Sequence, residues 1–279
     1  MAYTADISRT NPSCFLFLID RSGSMGDTFG GDTKRRKADG VADAINRLLQ
    51  TLTIKCAKAE GVRDYYYVGV IGYGDTVGPA FSGVLSGKEL VPLSEVAMNP
   101  ARVEPRAKKV EDGAGGLIEQ SVKFPIWFDP IANGGTPMCQ ALKLAQSIIQ
   151  KWLSQHPDCF PPIVMNITDG EADGGDPIIP AAEALTKLSN NDGNVLLFNL
   201  QISSHQANPI MFPDSEEILP DEFARILFRM SSNFPTHLIN AAQQEGFQVS
   251  ENTRGFVFNA DITSVIQFLD IGTRPSNLR

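Results

Sequence analysis

Short apolar runs alternate with helix-like patterns along most of the 279-residue chain. Continuous apolar runs at residues 15–19, 66–73 and 163–168 predict strands that are covered on both faces. Apolar residues recur at helical spacing over residues 38–59 and 138–153, which predicts amphipathic helices between those strands. Because this alternation is typical of βαβ units, we expect an α/β fold with a doubly wound, mostly parallel central sheet and helices on both faces.

The remainder of the chain continues this alternation except in two irregular segments. The patterns predict two further strands, at residues 195–202 and 255–258. They also predict four further helices, at residues 180–188, 221–230, 236–245 and 262–269. Residues 78–133 are rich in Gly and Pro and have weak strand signals at 80–85 and 124–128, so we interpret them as an edge hairpin and an elaborated loop. Residues 203–220 form a shorter segment of this kind. We therefore expect one domain over residues 1–279, with two insertions and an antiparallel edge strand.

The overall composition bears on the partners and the cellular location that we expect for this protein. The net charge of −8 provides no global field that would attract nucleic acid or an anionic membrane, so we expect neither as a partner. No apolar run approaches the length of a membrane helix, and the N-terminal segment lacks the pattern of a signal peptide. The four cysteines are scattered, which favours reduced, buried thiols in a cytoplasmic protein.

Three polar clusters follow predicted strands or begin a predicted helix. Asp20, Ser22 and Ser24 follow the first strand, Thr136 precedes the helix at residue 138, and Asp169 follows the strand at 163–168. Ligands of a doubly wound sheet bind beyond the carboxyl ends of its strands. Two carboxylates and three hydroxyls form an all-oxygen donor set, which suits Mg²⁺ first and Mn²⁺ or Ca²⁺ as alternatives. The sequence therefore predicts a divalent-metal site at this edge.

The same residues carry a family resemblance. Asp20, Ser22 and Ser24, followed by Thr136 and Asp169, resemble in order and placement the metal-ion-dependent adhesion site (MIDAS) of von Willebrand factor A (vWA) domains. The segments DRSGSM, GGTPM and ITDGEADGGDP are most similar to a bacterial cytosolic branch of tellurite-resistance, TerY-type proteins. The resemblance implies a Rossmann-like vWA fold and a metal ion held by these five residues. It also implies that an acidic side chain of a partner completes the metal coordination.

From these features we predict a non-enzymatic, metal-dependent protein–protein interaction module. The resemblance places such a module in a multi-protein bacterial assembly for stress, defence or signalling, beside a kinase, a phosphatase or an AAA-type ATPase. It also implies that binding can switch the closing helix at residues 262–269. One alternative is an Mg²⁺-dependent phosphohydrolase, although Ser22 stands where a phosphoaspartate enzyme would place a second aspartate. The other is a structural vWA domain whose metal site is inactive.

Charged residues near the predicted site allow two interpretations each. The basic run at residues 34–37 precedes the first helix, where the helix dipole disfavours cations. It could steer an acidic partner towards the metal, but we favour an ordinary exposed charge run. Glu171, Asp173 and Asp176 could add ligands, but we favour solvated turn and cap positions.

Overall fold

The computed structural model describes residues 3–28, 35–111, 117–170, 172–175, 177–202 and 208–273. Within these residues the chain forms strands β1 Ser13–Asp20, β2 Ala57–Lys58, β3 Gly61–Val62, β4 Tyr66–Tyr73, β5 Val77–Pro79, β6 Val91–Pro92, β7 Arg102–Glu111, β8 Leu117–Ile126, β9 Ile163–Thr168, β10 Leu196–Ile202, β11 Ile210–Met211 and β12 Phe256–Ala260. The helices are α1 Lys37–Lys55, α2 Leu93–Met98, α3 Met138–Gln155, α4 Ile178–Thr186, α5 Glu222–Met230, α6 Thr236–Gln244 and α7 Ile262–Gly272.

The central sheet has the strand order β11-β12-β10-β9-β1-β4-β5, and β6 pairs with β4. The five inner strands, β12, β10, β9, β1 and β4, run parallel to one another. Antiparallel strands close both edges, β11 against β12 on one side and β5 and β6 against β4 on the other. The predicted doubly wound, mostly parallel sheet with an antiparallel edge strand is confirmed.

Helices cover both faces of this sheet, so almost every residue of the inner strands is buried. In β1, Phe15 and Phe17 belong to a buried cluster that includes residues of α1, α6 and α7. The alternate side chains of Leu16 and Leu18 belong to a second cluster with residues of α3, α4 and α5. Successive side chains of a strand point to opposite faces, so a continuous apolar strand requires helices on both sides.

The order of the strands places a crevice at the end of β1. The chain passes from β1 through α1 to β4 on one side, and later enters β9 on the other side of β1. β1 and β9 therefore lie side by side at the point where the direction of winding reverses, which is where doubly wound sheets bind ligands. Asp20 ends β1 and Thr168 ends β9, so both reach this crevice.

The segment at residues 78–133 differs from the prediction. Residues 80–82 are irregular and Gly83–Leu85 form a 3-10 turn, so the strand predicted at 80–85 is wrong. The long hairpin is made by β7 and β8, which pair with each other in a separate two-stranded sheet and not at the edge of the central one. Its base is anchored to α1, because the backbone N–H of Trp127 donates to Asn46 Oδ1 at 2.9 Å in the buried interior.

The cysteines are buried and free, as the sequence predicted. Burial raises the pKa of Cys56 and of Cys159 to about 11, so both thiols stay protonated and unreactive at neutral pH. Among the helices in the described ranges, none is long and apolar enough to cross a bilayer.

Candidate functional site

Asp20, the last residue of β1, is buried and begins the first of the three predicted polar clusters. Its Oδ1 accepts a hydrogen bond from the backbone N–H of Ser22 at 2.8 Å, and its Oδ2 accepts one from Thr168 Oγ1 at 2.6 Å. Burial raises the pKa of Asp20 to about 6, and the nearby charge of Asp169 acts in the same direction. The hydrogen bonds from Thr168 and Ser22 oppose this rise because they stabilise the carboxylate.

A chain of hydrogen bonds continues from this cluster to Asp169, the residue that follows β9. Ser22 Oγ and Ser24 Oγ lie 3.1 Å apart, and Ser24 Oγ donates to Asp169 Oδ1 at 2.8 Å. Asp20 and Ser22 are buried, and the side chain of Asp169 is inaccessible to solvent, whereas Ser24 is exposed. The structure therefore brings these four predicted residues together in a crevice that opens towards solvent at Ser24.

The loop that carries Thr136 is held against the loop that follows Asp20 by a backbone hydrogen bond. The N–H of Gly23 donates to the carbonyl oxygen of Gly134 at 3.0 Å. Gly134 has φ +92°, and a Cβ there would lie 2.2 Å from the backbone nitrogen of Asp75, so only glycine fits. This contact places the following turn, with the buried Thr136, beside the Asp20 loop.

Asp173 fixes the other side of that turn. Its Oδ1 accepts a hydrogen bond from the Thr136 N–H at 2.8 Å, and its own N–H donates to the Thr136 carbonyl oxygen at 3.1 Å. The exposed carboxylate of Asp173 thus serves the turn and cap role that the sequence favoured for it. Glu171 and Asp176, the other two acidic candidates, lie outside the described residues.

Lys37 corrects one interpretation of the sequence. Its Nζ donates to Asp169 Oδ2 at 2.8 Å, and the Lys37 and Asp169 side chains are 4% and 0% exposed. The exposed charge run therefore does not include Lys37, although Arg36 remains exposed and pairs with Asp39 on the surface. Lys34 lies outside the described residues. The position of Lys37 at a helix start, where cations are disfavoured, was the one available signal that it has a partner.

Thr168 also joins the site although it was not among the five predicted residues. The register pairs Ile19 of β1 with Ile167 of β9, so the next residues, Asp20 and Thr168, are neighbours across the two strands. The adjacency of two parallel strands would have been enough to find this contact. We call Asp20, Ser22, Ser24, Lys37, Thr168 and Asp169 the edge cluster.

The five predicted ligands fit a hard cation by the chemistry of their donors. Asp20 and Asp169 contribute carboxylates, and Ser22, Ser24 and Thr136 contribute hydroxyls. In the described part of the chain, no group of three or more His, Cys, Asp or Glu side chains could hold a metal ion, so any ion here would depend on hydroxyl ligands. Each oxygen of the two carboxylates accepts a hydrogen bond and keeps further acceptor capacity.

Comparison with known proteins identifies the fold. No protein-family model and no curated protein matches the sequence. Solved structures similar to this chain include a von Willebrand factor type A protein from Catenulispora acidiphila, with 17% identity and a TM-score of 0.50 over 95% of this chain and 43% of that chain. Proximal thread matrix protein 1 from the mussel byssus has 13% identity and a TM-score of 0.49 over 96% of this chain and 48% of that chain.

The manganese-loaded TRAP protein of Plasmodium vivax has 13% identity and a TM-score of 0.42, over 94% of this chain and 73% of that chain. This chain spans less than half of the Catenulispora protein and of the mussel protein. The first similarity extends over nearly the whole of this chain. The chain has a von Willebrand factor A-type fold.

Proposed function

We propose that this chain is a vWA-type module that binds a protein partner through a divalent cation. The observation that carries the proposal is the hydrogen-bonded path from Asp20 through Ser22 and Ser24 to Asp169, at the switch point of the sheet. It gathers an all-oxygen donor set from segments far apart in sequence. Mg²⁺ is the proposed cation, with Mn²⁺ and Ca²⁺ as alternatives.

Each residue has a distinct proposed role. Asp20 and Asp169 supply negative charge, while Ser22, Ser24 and Thr136 supply neutral oxygen ligands. When bound, the cation would supply positive charge that attracts an acidic side chain of the partner, so it bridges two proteins and activates no substrate. The chain is therefore proposed not to be an enzyme. Ser24 marks the side of approach, because it is exposed whereas Asp20 and Ser22 are buried.

The cellular location and the partner proteins are also part of the proposal. A MIDAS of the TerY-like type would act in the bacterial cytoplasm, in an assembly with a kinase, a phosphatase or an AAA-type ATPase. The motif segments quoted above support this setting.

The ion pair of Lys37 favours a second candidate function. An ammonium group 2.8 Å from Asp169 Oδ2 can replace part of the charge that a metal would supply. On this alternative, the chain is a structural vWA domain in which a lysine has taken over from the cation. The two candidates differ in whether the folded protein is stabilised by divalent ions.

Unfolding with and without metal tests the proposal. We expect Mg²⁺ at a hundred times its dissociation constant to raise the free energy of unfolding of the wild-type protein by about 2.7 kcal/mol relative to EDTA. Asp20→Ala should abolish this increase because it removes a buried carboxylate ligand. Asp75→Ala is the matched control: it removes an exposed carboxylate at the same edge of the sheet and should retain the increase.

The same series is run with Mn²⁺ and Ca²⁺ to identify the preferred ion. Stabilisation that is absent from the wild-type protein with all three ions would favour the structural alternative. If metal stabilises the protein, partner capture in Mg²⁺ and in EDTA then tests the interaction itself.

A further inference from the structure

The ammonium group of Lys37 lies inside the edge cluster. Its Nζ donates to Asp169 Oδ2 at 2.8 Å and approaches the carbonyl oxygen of Ser24 at 3.4 Å. Asp169 and Ser24 are both among the proposed metal ligands. A cationic side chain of this protein therefore already faces one of the two carboxylates that would hold the ion.

This position is costly for a lysine. Lys37 is the first residue of α1, where the helix dipole disfavours positive charge, and its side chain is only 4% exposed, so it has lost most of its hydration. Arg36, the preceding residue, shows the ordinary alternative: its side chain is 51% exposed and pairs with Asp39. The attraction of Asp169 is what offsets the cost of burying Lys37.

The charges of the edge cluster indicate what Lys37 does to a bound ion. Two carboxylates, Asp20 and Asp169, and one ammonium, Lys37, leave a net charge of −1. A divalent ion would bring the cluster to +1, whereas without Lys37 the same ion would bring it to neutrality. The acidic side chain of a partner would restore neutrality in the presence of Lys37, which is a physical reason for a site that holds its ion weakly until the partner arrives.

We propose that Lys37 is a tethered counter-cation that neutralises Asp169 in the metal-free protein and lowers the affinity of the site for a divalent ion. The inference rests on the proposed function, because it concerns an ion at this site. Its basis is electrostatic: a unit charge within several ångströms of a bound ion, in a largely buried crevice, changes the affinity on the order of tenfold or more.

Titration with Mn²⁺ tests the proposal, with isothermal calorimetry and the paramagnetic resonance signal of free Mn²⁺ as readouts. The variants are Lys37→Met and Lys37→Gln. Both remove the charge, and the amide of Gln can still donate to Asp169 if the Met variant does not fold. We expect both to bind Mn²⁺ at least about tenfold more tightly than the wild-type protein. Arg36→Met removes an exposed charge one residue away and should change the affinity by less than about twofold, because solvent and salt screen it.

The outcomes separate this inference from the proposed function. Equal Mn²⁺ affinity in the wild-type protein and the neutral Lys37 variants would overturn the inference but not the metal site. The same would follow if Arg36→Met increased the Mn²⁺ affinity as much as the Lys37 variants do. No Mn²⁺ binding by any of these proteins would overturn both. Binding by the neutral variants alone would support the inference. Circular dichroism in EDTA and in Mn²⁺ follows folding, and a Lys37→Met protein that folds only with Mn²⁺ would show that the ion replaces the lysine.

Discussion

Strand β9 contributes Asn166 and Thr168, two residues apart, to two polar networks that differ in charge, in spare acceptor capacity and in access to solvent. Asn166 belongs to the amide network, which consists of Tyr73, Asn166, Asn199 and Ser231. Tyr73 Oη donates to Asn166 Oδ1 at 2.7 Å, and Asn166 Nδ2 donates to Asn199 Oδ1 at 3.0 Å. Asn199 Nδ2 in turn donates to Ser231 Oγ at 3.0 Å. All four residues are at most 2% exposed.

The edge cluster begins at the end of the same strand and carries charge. Its two carboxylates accept hydrogen bonds from Ser22, Ser24, Thr168 and Lys37, yet an ionised carboxylate has about four acceptor sites. It is also open to solvent at Ser24. The cluster thus has a net charge, spare acceptor capacity and a route of access.

The contrast separates a structural network from the proposed binding site. The amide network is neutral, and burial holds the pKa of Tyr73 well above its ordinary value, so the phenol remains a donor. Its side chains bond to one another and to the backbone carbonyl oxygens of Ile167 and Leu227, which stabilises the sheet. The edge cluster, in contrast, has unfilled acceptor sites on its carboxylates and a net charge, and both features support the proposal that it binds a ligand.

The largest expected effect comes from breaking the ion pair of the edge cluster. In EDTA, Lys37→Met should lower the free energy of unfolding by about 3–5 kcal/mol, because it leaves the buried Asp169 carboxylate without its partner. Urea denaturation measures the change. Lys37→Arg keeps the charge and should cost less, and saturating Mg²⁺ should recover part of the loss in Lys37→Met. A loss below about 1 kcal/mol in EDTA would mean that the pair contributes little.

Breaking the amide network should cost less and should not respond to metal. Asn166→Leu removes the 2.7 Å acceptor of the buried Tyr73 hydroxyl and the 3.0 Å donor to Asn199 Oδ1, so we expect a loss of about 2–3 kcal/mol. The loss should be the same in EDTA and in Mg²⁺. A metal-dependent loss, measured by urea denaturation in the two buffers, would show that the two networks are coupled and that the contrast between them fails.

The smallest effect is expected for Tyr73→Phe. This change removes one hydroxyl donor and keeps the buried ring, so the free energy of unfolding should fall by about 1 kcal/mol. In the double variant with Asn166→Leu, the total loss should be smaller than the sum of the two, because both changes break the same hydrogen bond. Mn²⁺ affinity should stay at the wild-type value; an altered affinity would indicate that Tyr73 also acts on Asp20, its neighbour in the strand register.

Local patterns predicted the central sheet well and the long hairpin poorly. The strands Tyr66–Tyr73 and Ile163–Thr168 have the predicted bounds, because an apolar run flanked by turn residues is a local property of the sequence. Most of β7 and β8 was missed, and only the weak signal at 124–128 overlaps the end of β8. β7 is largely polar, and each of the two strands contains a proline, which counts against a strand. Their pairing with each other, outside the central sheet, is what permits such a composition.

The sequence by itself determined the α/β alternation and the order of Asp20, Ser22, Ser24, Thr136 and Asp169 at the ends of strands and the start of a helix. Parallel strands bring their carboxyl ends to one edge, so that order already implied that these residues meet. The tertiary structure alone decided that Lys37 is buried among them. Lys37 and Asp169 are separated by 132 positions, and only the tertiary fold brings the start of α1 beside the residue that follows β9. The position of Lys37 at a helix start indicates that it has a partner but not which residue that is, because the charge that offsets its desolvation comes from a distant part of the chain.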